Sequence, residues 1–289
     1  DEDVDTIIAA FKDSVLEMQS DGLLPAPPQT AKAIPWRRTL PLTDAQREVW
    51  FASQMGDMAN CAFNESDSVR IDGPLDADRF VAAVRTALGE QEAFRYRFDA
   101  EGAMQWVDES ATFDVPVVDL SGLGEAERRQ RIDALLEREA LTPFDFAHGP
   151  LVRAQLLRLA PESHRFVLYC HHIVFDGYSA DVLMGRIAAV YASKAGIDAA
   201  PDDAIVPFSA YAHRIGTGDD EAREVALRYW RGVYDSLPPP LELPTDRPRT
   251  GVRSHRGATL HHALDADLSQ ALRATAKSLK TSLNVVLLG

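Results

Sequence analysis

Cysteine is nearly absent from this 289-residue chain, which has only Cys61 and Cys170. They lie far apart and in no metal-ligand spacing. A disulfide framework and a thiolate metal centre are therefore excluded, and two reduced thiols in a cytoplasmic protein are expected. Positive charge is scarce as well. Thirty Lys and Arg against 44 Asp and Glu leave a net charge of −14, which argues against nucleic acid and anionic membranes as partners. No apolar run reaches membrane-spanning length, and the acidic N-terminus does not resemble a secretion signal. The Gly-x-Ser-x-Gly elbow of many serine hydrolases is missing, and no His/Cys/Glu cluster at ligand spacing suggests a metal. What remains, 46% hydrophobic and 26% charged residues, is ordinary for a globular protein. The length suffices for one large domain or two lobes with real cores.

One stretch, Arg165 to Met184, stands out. Phe166 to Cys170 is an unbroken apolar run, as expected for a strand buried on both faces. His171 and His172 follow, then a bend at Asp176-Gly177. Beyond it the period becomes helical, with Ser179 as the expected N-cap and Val182, Leu183, Ile187, Val190 and Tyr191 on one face. A core strand thus delivers imidazoles to a loop that a helix packs down. His-His-x-x-x-Asp-Gly at such a place reads as an acid–base site, because imidazole titrates near neutrality. Successive strand residues face opposite ways, so one histidine is expected to reach a substrate and the other to hold the loop. Asp176 either orients the imidazole or pairs with an arginine. Gly177 suits a bend needing positive φ or a close backbone approach.

Other elements follow in order. Residues 3–19 read as an amphipathic helix and 23–38 as a Pro/Ala-rich linker, either a docking or tethering segment after an upstream module or a helix lying on the main domain. Thr43 is an expected N-cap stapled by Leu42, with Trp50 in the core. Asn60–Asn64 reads as a polar loop, Ser66–Ile71 as a strand and Leu75–Leu88 as a helix. Met104–Val107 and Val115–Asp119 are short strands. Glu125–Ala140 is a charged helix whose Arg128, Arg129 and Arg131 form a solvated face or a carrier contact. Val152–Leu159 pairs with Phe166–Cys170 as a hairpin, leaving His148 and His164 as loop histidines. Gly196–Pro207 is a linker, Ala258–Ala263 a strand, and a helix starts near Asp267.

His171-His172-x-x-x-Asp176-Gly177 resembles the signature of condensation domains of nonribosomal peptide synthetases, and of the wider chloramphenicol acetyltransferase-like superfamily. Other segments favour the condensation domain. Thr43, Ala45, Gln46 and Trp50 match its first core motif, Ser/Thr-x-Ala-Gln-x-x-x-Trp, with Glu48 where many members have arginine. Glu92, Arg95 and Phe98 match Arg-His-Glu-x-Leu-Arg-x-x-Phe, with Phe94 for leucine and Glu90-Gln91 in place of Arg-His. Pro143–Leu151 resembles the segment before the active-site strand, and Leu241–Pro248 the crossover between lobes.

The resemblance implies an α/β (α+β), chloramphenicol acetyltransferase-like two-lobed fold. Residues 1–39 are then helix and linker, 40–195 a complete N-terminal lobe, and 196–289 the crossover and only the start of the C-terminal lobe. The chain reads as part of a longer polypeptide whose half-built lobe exposes apolar surface. The implied activity is amide-bond formation between an acyl or peptidyl thioester on an upstream carrier protein and the amine of an aminoacyl thioester on a downstream one. Both arrive on phosphopantetheine arms, and the domain itself binds no cofactor or metal. His172 is the implied catalytic residue, acting as general base or by positioning. His171, Asp176 and Gly177 hold the loop, Asp176 as a salt-bridge anchor; Ser179 lies on the acceptor side, and Arg95 supports the loop or channel. The first-motif variant and the linker also resemble hybrid polyketide–peptide lines, implying a polyketide acyl donor. The rival readings are a free-standing or CoA-dependent acyltransferase and a non-catalytic carrier-docking module. Cyclisation relatives carry aspartate at the first histidine, which His171 disfavours, whereas epimerisation relatives keep the motif.

Overall fold

The structure, a computed structural model, describes residues 39–193, 206–216, 220–239, 244–247 and 262–288, with Gly257 and Leu260 besides. The expected helix over 3–19, the linker 23–38, most of the 196–207 linker, and half of both the 241–248 crossover and the 258–263 strand lie outside these residues. Two compact units divide the chain, Asp1–Arg249 and Thr250–Gly289.

Two sheets organise the first unit. The larger has the order β2 (Asn64–Asp72), β7 (Ser163–His171), β6 (Val152–Ala160), β5 (Val117–Asp119), with β5 parallel to β6 and the other pairs antiparallel. The smaller has the order β1 (Thr39–Pro41), β4 (Met104–Val107), β3 (Tyr96–Phe98), and a 3-10 turn at Glu92–Arg95 leads into β3. The helices are α1 (Asp44–Ser53), α2 (Asp57–Cys61), α3 (Ala77–Glu90), α4 (Glu125–Ala140), α5 (Gly177–Ser193), α6 (Phe208–Gly216) and α7 (Asp220–Val233). The second unit holds α8 (Ala266–Ser278), capped by Asp265, and α9 (Leu283–Leu288). Among the described residues no helix is long and apolar enough to cross a membrane.

β7 is central, and its apolar run is explained by what covers it. Phe166, Leu168 and Cys170 pack with Phe80, Val84 and Leu88 of α3 and Leu183 and Ile187 of α5. Val167 and Tyr169 join Ile132 and Leu135 of α4 and Tyr96 and Phe98 of the small sheet. A strand flanked on both faces has no place for alternating polar residues.

Several expectations change. Asn60–Asn64 is not a loop: Asn60 and Cys61 end α2, Asn64 starts β2, and buried Asn60 exchanges hydrogen bonds with the backbone of Phe144 (3.2 and 2.9 Å). His164 is a strand residue, 1% exposed, because β7 begins at Ser163. Val182 is exposed, since α5 starts at Gly177 and turns Ala180, Leu183, Ile187 and Val190 inward. Arg128 is not purely solvated: it reaches back to the Leu159 carbonyl (2.8 Å).

Candidate active site

The strand-to-helix turn places the two histidines in opposite settings. His171 is fully buried, its ring meeting Phe146 (centroids 4.8 Å apart) and Phe144 (6.0 Å) edge to face. Its Nδ1 accepts from the Ile173 amide (3.2 Å), so the proton sits on Nε2, which faces Ser53 Oγ at 3.5 Å. Burial, with a smaller contribution from neighbouring His172, lowers the pKa of His171 from 6.5 to about 3. This neutral ring anchors the turn. A second cleft, of about 510 Å³, is lined by Ser53, Phe144 and Phe146, which surround the same ring.

His172 is exposed. Its amide donates to the Phe63 carbonyl (2.9 Å), extending the β2–β7 pairing by one residue. Its Nδ1 lies 2.7 Å from the Phe175 carbonyl and 3.0 Å from Glu65 Oε1. A carbonyl only accepts, so Nδ1 carries the hydrogen and Nε2 keeps a lone pair. The residue lines a cleft of about 810 Å³, walled also by Gln91 and Tyr96, by Tyr178 and Ser179 at the start of α5, and by Phe208 and Tyr211 of α6.

Asp176 is the N-cap of α5. It accepts from the Ser179 amide (2.8 Å) and hydroxyl (2.6 Å), and its carbonyl accepts from Ala180 (3.1 Å). Partial burial opposes ionisation, yet these bonds hold the carboxyl below its ordinary range. The expected cap, Ser179, is therefore the capped residue, and it lines the cleft. No ion pair joins Asp176 among the described residues. At the motif position where the family has arginine stands Glu90, which pairs with Arg186 of α5 at 2.6 and 2.9 Å. Gly177 is neither at positive φ nor crowded: an added Cβ would meet nothing within 4 Å. The cap makes the bend, and Gly177 is the first helical residue. Arg95 pairs with Glu109 on the segment after β4 and does not line the cleft.

Three supporting residues were not singled out as site residues from sequence. Gln46, at the start of α1, forms a reciprocal amide pair with Gln105 of β4 (2.9 and 2.8 Å) and lies 3.5 Å from the Ile173 carbonyl of the turn. Thr43 is the expected N-cap, and with Gln46 it forms a capping box. Buried Glu92 accepts from Tyr96 Oη (3.0 Å) and from the Ser209 amide and hydroxyl (2.8 and 3.0 Å), which fastens α6 to the cleft wall. Burial, then the Glu92 charge, raises the Tyr96 phenol, so it stays a donor. The third is Glu65. Among the described residues, no three His, Cys, Asp or Glu gather as a metal site.

A family model described as the condensation domain matches residues 36–289. The chain belongs to the condensation domain family of nonribosomal peptide synthetases. It is 34% identical over 269 residues to chondramide synthase of Chondromyces crocatus, covering 91% of this chain and 7% of that one. Against a linear gramicidin synthase of Brevibacillus parabrevis it is 34% identical over 263 residues, covering 88% and 3%. The solved starter condensation domain of rhizomide synthetase superposes with a TM-score of 0.61 at 25% identity, over 71% of this chain and 50% of that one. This condensation domain therefore spans a small part of the synthetases it matches and about half of the solved domain. Its mixed helix-and-sheet architecture is the chloramphenicol acetyltransferase-like fold.

Proposed function

We propose that the chain forms an amide bond between an acyl or peptidyl thioester on an upstream carrier and the amine of an aminoacyl thioester on a downstream carrier. The observation carrying this reading is the state of His172: Nδ1–H is held by the Phe175 carbonyl, which leaves the Nε2 lone pair as acceptor on a cleft-lining residue. The amine nitrogen attacks the thioester carbon, and the carbon–sulfur bond breaks as the tetrahedral species collapses. His172 Nε2 takes the amine proton and returns it to the departing phosphopantetheine thiolate, so charge and protons balance. His171, with its proton on Nε2 and its ring buried, anchors the turn. Asp176 seats α5, and Ser179 lines the acceptor side. No covalent acyl-enzyme is involved, because no activated nucleophile accompanies His172 among the described residues.

A competition between donors tests this reading. The complete condensation domain is given an acyl group on its carrier or on CoA, with an aminoacyl carrier or an alcohol as acceptor. Amide formed from carrier-bound pairs at a rate well above any ester or CoA-derived product is expected. Ester from CoA thioesters as the main product contradicts the reading and favours a free-standing acyltransferase.

A further inference from the structure

Glu65 belongs to none of the motifs, and its neighbours place it beside the proton acceptor. β2 and β7 run antiparallel with Glu65 opposite Cys170, and the pairing continues as His172 donates to Phe63. Side chains two residues apart on a strand share a face, so Glu65 and His172 are diagonal neighbours within reach of a long side chain. Glu65 Oε1 lies 3.0 Å from His172 Nδ1, the same nitrogen whose hydrogen the Phe175 carbonyl receives at 2.7 Å. His172 is the one ion-pair partner of Glu65 among the described residues. The carbonyl fixes the tautomer; the carboxylate adds negative charge behind the ring.

We infer that Glu65 is a positioning residue for the proposed reaction: it holds the His172 ring and stabilises the imidazolium formed when Nε2 accepts the amine proton. The inference rests on the amide-forming reading above. Among the described residues, the other titratable groups coupled to His172 are Asp176 and His171. Asp176, on the turn before α5, is already engaged by Ser179, and His171 at the end of β7 is buried and neutral. Glu65 on β2 is thus the carboxylate free to answer the new charge.

Glu65→Gln keeps the shape and a carbonyl acceptor while removing the charge. In the complete condensation domain with loaded carriers, kcat for amide formation is expected to fall about tenfold or more, with KM for both carriers unchanged. Glu65→Asp, which restores charge at shorter reach, is expected to recover part of the rate. His172→Ala serves as the reference. If it is inactive while Glu65→Gln keeps the wild-type kcat, the inference is overturned and the reading stands. A loss confined to KM, or a Glu65→Asp variant no faster than Glu65→Gln, overturns it too. Full activity in His172→Ala removes the reading and this inference with it.

Discussion

Two histidines adjacent in the chain carry opposite tautomers, told apart by the backbone group that meets each Nδ1. The Ile173 amide donates to His171 Nδ1, whereas His172 Nδ1 donates to the Phe175 carbonyl. Nitrogen-15 correlation spectra at neutral pH should resolve both forms, with protonated Nε2 for His171 and protonated Nδ1 for His172. The same tautomer at both would contradict the site geometry. Buried His164 presents a different problem, since neither ring nitrogen has a hydrogen-bond partner. An unsatisfied buried polar group costs roughly 1–3 kcal/mol, so His164→Leu is expected to raise the unfolding free energy by about 1 kcal/mol or more in urea titrations. A lower midpoint would show that the imidazole is satisfied after all. Sequence made His172 legible through motif spacing. It hid Glu65, whose proximity depends on a strand register between residues distant in the chain. The burial of His164 was hidden by a strand boundary drawn too late.

At the scale of elements, the turn after β7 is fastened from both sides. Gln46 and its Gln105 partner approach from the small sheet, and Asp176 caps α5. Loss of a cap costs typically about 1 kcal/mol, so Asp176→Ala should destabilise by that order while Asp176→Asn retains most of the stability. Equal loss in both would point to a charge partner for Asp176 rather than a cap. Long periodic segments were readable: the charged helix Glu125–Ala140 and the hairpin of β6 with β7 stand where apolar spacing placed them. The start of α5 was not, because Asp176 and Ser179 are both good capping residues and only geometry separates giver from receiver. The Asp176 salt bridge was inferred from the motif, and in this chain Glu90 supplies a negative charge at the position that offers arginine elsewhere.

Over the whole molecule, acid should act through the same histidines. The pKa of His171 falls to about 3 and that of His164 falls below its ordinary 6.5, mainly through burial. The unfolded chain therefore takes up protons first. The stability these residues contribute is fully present above about pH 6.5 and is lost as pH falls below it, at up to about 1.4 kcal/mol per pH unit for each. Asp108, Asp119, Asp145 and Asp176, held below the ordinary carboxyl value of 3.8, contribute stability that is lost only at lower pH. Urea midpoints measured from pH 7 to pH 5 should decline in the wild type and less steeply in His164→Leu. Apolar side chains of α7 and the segment after it, among them Tyr229, Trp230 and Leu237, stand exposed, as do Leu279 and Leu288 of the second unit. Apolar surface of that extent is what partners or further chain commonly cover.

The most direct measurement follows amide product by mass spectrometry in the complete condensation domain, with both carriers loaded, for wild type and His172→Ala. Product formation is expected to fall by about a hundredfold or more in the variant, the lower range for loss of a positioned general base. Equal product from both proteins would contradict it and leave the cleft with no chemical role for His172.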